Sequence, residues 1–154
     1  MTEISRLGVS DAGEILTLQR AAFVAEAQLH DDLALPALTQ TMDELLADLA
    51  NPAVIVLGIR VVGRLVASAR IHVRGDVADL GRLMVVPDLQ GRGLGSRLLK
   101  AVDSVLPDSV RGVELFTGSR SVGNLRLYRR FGFRETGRES AGHYDVVAMR
   151  RDIE

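Results

Sequence analysis

The spacing of apolar residues changes several times along this chain, and each change marks an element. Glu3-Ile4-Ser5-Arg6-Leu7-Gly8-Val9 alternates weakly between apolar and polar positions, which predicts a first strand. Ile15, Leu18, Ala22 and Ala25 then recur at helical spacing, with Leu16 and Phe23 widening the stripe, and predict a helix over about 11–28. Ser10-Asp11 offers its N-cap, with Glu14 placed as in a capping box. Over residues 29–40 the period is lost, and Pro36 opposes a continuous helix, so this segment reads as a loop between two helices. Thr41-Met42-Asp43-Glu44 is a second capping box, and Leu45, Leu46 and Leu49 continue as a helix that stops at Asn51-Pro52.

The pattern then turns to strands. Residues 53–60 are rich in β-branched side chains, and residues 65–74 and about 78–86 follow after short turns. Links this short join antiparallel neighbours, so the three form a meander. Beyond Pro87 a glycine-rich stretch opens the amphipathic run Ser96–Val102. Val113–Thr117 is a short strand, and the helix before it makes a parallel crossover from the preceding strand. Leu125, Tyr128 and Phe131 mark a helix ended by Gly132, and residues 133–137 and 143–150 read as the last two strands. The whole reads as one α/β (α+β) domain over residues 1–154, a layered fold with helices around a mixed sheet.

Composition narrows the partners. The net charge is −1, and no basic stretch suits nucleic acid or a membrane surface. There is no cysteine, which excludes a thiol nucleophile and any disulfide framework. The three histidines share no ligand spacing, so no metal is expected. No apolar run reaches membrane-spanning length and no leader is visible, so a cytoplasmic protein is expected. Monomer and homodimer are equally open.

The candidate chemistry lies in Gln90-Gly91-Arg92-Gly93-Leu94-Gly95-Ser96. The first amides of a helix lack partners inside it, and glycines let them converge on an anion. With the positive end of the helix dipole, such a turn suits a phosphate-bearing ligand. It is not a P-loop, because Ser96-Arg97 follows Gly95 where a Lys-Ser or Lys-Thr pair is needed. Glycines at 91, 93 and 95 also lack the spacing of a dinucleotide fingerprint.

Residues 83–95, from Leu83-Met84-Val85-Val86-Pro87 to Gln90, Gly93 and Gly95, resemble the acyl-CoA signature of the GNAT superfamily of N-acetyltransferases. Leu127-Tyr128-Arg129-Arg130-Phe131-Gly132-Phe133 is similar to that family's C-terminal block. The resemblance implies a mostly antiparallel sheet of about six or seven strands with about four helices, acetyl-CoA as acyl donor, and an amine acceptor on a small molecule or a protein. It implies direct transfer within a ternary complex. On the same ground the pyrophosphate is expected on the amides of Gly91 to Ser96, including Gly93, Leu94 and Gly95, with the Ser96 hydroxyl and Arg92 adding contacts. The main chain of Leu83, Met84 and Val85 is expected to hold the pantetheine, and Tyr128 to protonate the departing thiolate. Ser121 stands where many members have an Asn that contacts CoA, and Asn124, one helical turn before Tyr128, is the other candidate. For the general base, Asp79 is the nearest candidate on the central strand, and it equally suits a turn role after Asp76. Glu114 and Asp145 come next, ahead of His72 and His143. Residues 29–40 fall where the family usually covers its acceptor. A noncatalytic acyl-CoA-binding regulatory domain is the alternative, since it keeps Gln90 to Ser96 without a working base.

Overall fold

A computed structural model of the chain describes residues 2–154. A seven-stranded sheet runs in the order β1-β2-β3-β4-β5-β7-β6. Its strands are β1 (Thr2–Arg6), β2 (Val54–Val61), β3 (Arg64–Arg74), β4 (Val77–Val85), β5 (Gly112–Gly118), β6 (Arg134–Ser140) and β7 (Asp145–Asp152). All neighbours are antiparallel except β4 and β5, as the intervening crossover helix requires. The helices are α1 (Ala12–His30), α2 (Pro36–Thr39), α3 (Met42–Ala50), α4 (Leu94–Val105) and α5 (Val122–Arg130).

Local chemistry sets most boundaries. Thr41 and Glu44 form the reciprocal capping box of α3, at 3.1 and 2.9 Å. Asp11 does not cap α1 in the expected way. Its carboxylate accepts from the Gly8 amide at 2.8 Å and pairs with Arg60, which also takes Glu14. Ion pairs from the start of α1 to Arg60 of β2 thus replace the expected box. Residues 29–40 are not wholly loop either. Pro36 begins the single turn α2, because its missing N–H costs nothing at the first helical position.

Helices cover both faces of the central strands. Arg70 of β3 reaches α1, bonding Gln19 at 3.0 Å, and bonds Gln40 at 3.1 Å and Asp48 of α3 at 3.2 Å. Burial lowers the Arg70 guanidinium to about 10, and the Arg82 charge adds to the effect. Alternation sends Ala69 and Ile71 to the opposite face, where α4 packs on β2 and β3, and both are fully buried.

Two irregularities shape the middle of the sheet. β4 and β5 pair only from Val77 to Asp79 against Gly112 to Glu114, and then part. Among the described residues, β4 from Leu80 to Val85 has no strand beside it on that edge. In the same segment Arg82 and Leu83 oppose the single residue Ala69, a β-bulge with Arg82 in the left-handed region at φ 50°.

Candidate active site

The parting of β4 and β5 leaves a wedge, and two cavities fill it. The larger, about 560 Å³, runs from Leu83, Met84 and Val85 on β4 to Gln90, Gly91, Gly93, Gly95 and Ser96 at the head of α4. The smaller, about 300 Å³, lies between α1, α2 and β5, with Leu35, Pro36, Phe116 and Tyr144 among its walls. Phe23, Glu26, Leu83 and Asn124 line both, so the cavities meet there.

The head of α4 has the geometry of an anion cradle. Gly91 and Gly93 both adopt left-handed backbone, at φ 78° and 79°, which side chains disfavour. Gly93 is the N-cap of α4, and the following amides face the cleft end of the helix. Gly95 matters for closeness instead: a Cβ there would lie 3.4 Å from Leu127. Gln90 donates to the Val85 carbonyl at 3.3 Å, tying the loop to β4. Arg130, which the sequence reading passed over, donates to Ser96 Oγ at 3.2 Å and adds a positive charge to the cleft wall. Leu94 is buried in the core, and Arg92 does not line the cleft, so their side chains are not part of this wall.

Tyr128 lies on α5 and lines the smaller cavity. It is 6% exposed, and its ring meets Phe133 edge-on at 5.8 Å between centroids. Burial pushes its phenol well above the usual tyrosine value of 10, and the Glu26 carboxylate adds to the rise. Among the described residues its hydroxyl has no hydrogen-bond partner.

Asp79, the candidate base on the central strand, pairs with Arg74 and lies away from both cavities. It sits where β4 and β5 are still paired, before the wedge opens. Glu114 is held by Arg150 at 2.8 Å, and Asp145 lies 4.0 Å from Arg138. His72 lies on β3 opposite Asp79, and His143 bonds the His30 carbonyl. None of these faces the meeting point of the cavities. The acid that does is Glu26, from the C-terminal part of α1. It accepts a hydrogen bond from the Ser121 hydroxyl. Ser121 is thereby buried and engaged, and it lines neither cavity, whereas Asn124 lines both.

A polar network fixes this corner. His30 is 2% exposed, takes the Arg120 amide on Nε2 at 3.2 Å and pairs through Nδ1 with the Glu26 carbonyl at 2.9 Å. Those partners require Nδ1 to carry the hydrogen and Nε2 to accept. Gly118 permits the approach, since a Cβ there would meet His30 Nε2 at 2.0 Å. Tyr144 donates to Asp32 at 2.5 Å, closing residues 31–35 over the smaller cavity.

Sequence carried a signal for Glu26 that composition hides. It lies one turn beyond Ala22, so it is a lone acid in the apolar stripe of α1. Arg82 is likewise a lone cation within the apolar run Leu80–Val86.

Known proteins share this fold. The acetyltransferase (GNAT) family matches over residues 17–133. A mycothiol acetyltransferase of Clavibacter michiganensis is 29% identical over 133 residues, which is 86% of this chain and 42% of that protein. The chain spans less than half the length of the curated relatives it matches. Among solved structures, the ribosomal-protein-S18-alanine N-acetyltransferase of Escherichia coli superposes with a TM-score of 0.82 at 22% identity, covering 99% of this chain and 94% of that one. The PaiA N-acetyltransferase of Thermoplasma acidophilum, solved in complex with coenzyme A, gives a TM-score of 0.78 at 16% identity, covering 99% of both chains. At such identities the structures speak for the fold, and the match over residues 17–133 carries the assignment: this chain belongs to the acetyltransferase (GNAT) family.

Proposed function

We propose that the protein transfers the acetyl group of acetyl-CoA directly to an amine, with donor and acceptor bound together. The observation that carries this reading is the junction of two cavities at Leu83, Glu26 and Asn124. The donor occupies the larger one, its pyrophosphate on the amides from Gly91 to Ser96 and beside Arg130. Its pantetheine lies along the unpaired edge of β4, where Leu83 to Val85 offer main-chain groups that no strand uses. That places the thioester at the bulge. The acceptor enters from the smaller cavity. The coenzyme A complex of the structural neighbour and the N-acetyltransferase names of both neighbours support the donor and the amine.

The ammonium must lose a proton before its nitrogen can attack, and Glu26 takes it. As the C–S bond breaks, sulfur takes the Tyr128 proton, the surplus N–H proton of the adduct passes to the phenolate, and Glu26 gives its proton to solvent. The phenolate is reprotonated, so the products are the amide, the CoA thiol and one proton released to solvent. A phenol held above its usual pKa is fully protonated at neutral pH, as a general acid must be.

The test follows free thiol with acetyl-CoA and a panel of amines. Amine-dependent release is expected. Tyr128→Phe and Glu26→Gln should each lower kcat by about a hundredfold or more, the usual share of one acid–base group, while acetyl-CoA still binds. Tight CoA binding without turnover of any amine would instead indicate a noncatalytic acyl-CoA-binding domain.

A further inference from the structure

Arg82 lines the smaller cavity and has nothing to hold. Among the described residues its side chain makes no hydrogen bond and no ion pair, and its Nε is buried without a partner. The nearest carboxylate that acts on it, Asp48, is already engaged by Arg70 and Gln40. Burial disfavours its charge and Asp48 offsets that only in part, so the site holds an incompletely compensated cation at a cost. The backbone is also strained there, with Arg82 at φ 50° in the β4 bulge. Both features sit next to Leu83, at the junction where transfer is proposed.

We propose that Arg82 binds the carboxylate of the acceptor, and that the acceptor is a small amino carboxylate with an apolar side chain. The inference rests on the transfer reading above. An ionised guanidinium offers a fork of N–H donors matched to a carboxylate. Glu26 on the same cavity suits the ammonium, so the site carries opposite charges at two places, as an amino acid does. Leu35, Pro36, Leu80, Phe116 and Val146 give the cavity an apolar wall for the side chain. A volume near 300 Å³ has room for an amino acid. A phosphate would carry more charge, and no lysine or second arginine lines this cavity to meet it.

L-leucine, leucinamide and isoamylamine share one side chain and differ in the carboxylate, so they form the panel. The wild-type protein should acetylate leucine with a kcat/KM at least about tenfold above the other two, the scale of a lost charged hydrogen bond. Arg82→Gln should abolish that preference, chiefly by raising KM for leucine, and Arg82→Lys should restore part of it. In parallel, N-acetyl-L-leucine is titrated calorimetrically into CoA-saturated protein. Binding is expected for wild type and not for Arg82→Gln, whose own CoA binding reports that it is folded. If Arg82→Gln does not bind CoA, the wild-type preference and Arg82→Lys decide. Acetylation of isoamylamine or leucinamide as efficient as that of leucine overturns this inference and leaves the transfer reading intact. Arg82-dependent binding of N-acetyl-L-leucine without turnover of any amine overturns the transfer reading, and with it the acceptor assignment, and leaves only Arg82 as a carboxylate site.

Discussion

Tyr128 and Tyr144 are the only tyrosines in the chain, and each is held in its protonated form by a different cause. For Tyr128 the cause is first burial and then the Glu26 charge. For Tyr144 it is first the hydrogen bond to Asp32 and then burial. Both have folded pKa values above the ordinary 10. Near pH 10 the unfolded chain therefore loses protons that the folded chain keeps. Folding then binds more protons than unfolding, so stability falls as pH rises past 10. Titration of phenolate absorbance should show less ionisation at pH 10 in the native protein than in the urea-unfolded chain, which is about half ionised there. The same shift means that no fall in activity below pH 10 comes from Tyr128. At this scale the sequence was only partly readable. Tyr128 was visible because its motif surrounds it. The pairing of Asp79 with Arg74 was not legible, because strand alternation does not reveal that Arg74 folds back on it. Glu26 was only faintly legible: its place in the apolar stripe of α1 sets it apart from Glu14, but only the arrival of α5 encloses it.

The elements were more legible than the residues. Capping by Thr41, the short turns of the meander and the crossover through α4 are all local consequences of sequence, and each is present. What was not legible is irregularity that depends on a neighbour. The β4 bulge exists only relative to β3, and the sequence around Arg82 carries no glycine at the left-handed position to announce it. The loop before α4 is the opposite case, since Gly91 and Gly93 announce their conformation. Gly93→Ala should cost about 1–2 kcal/mol of stability from left-handed backbone alone, because a Cβ there meets nothing. Calorimetric unfolding measures that cost. Acetyl-CoA affinity should fall further than this, since the same residue aims the first amides of α4.

At the scale of the molecule, the sheet is nearly two sheets. Strands β1 to β4 form one ladder and β5 to β7 the other, joined by the short parallel contact between β4 and β5. α1 and α5 bridge the gap through Glu26 and Ser121, and His30 reaches the Arg120 amide. A ligand spanning both ladders should therefore stabilise the whole fold. At a hundred times its dissociation constant, acetyl-CoA should add about 2.7 kcal/mol to unfolding, seen as a higher Tm that climbs with donor concentration. The open edge of β4 has a further consequence. Exposed strand edges invite other chains to pair with them, and proteins ordinarily conceal them. Here the free edge forms the wall of a cleft, and in the proposed complex the donor lies along it. In that complex the pantetheine would be the missing strand for the length of one turnover, so each proposed cycle would complete the sheet and then open it again.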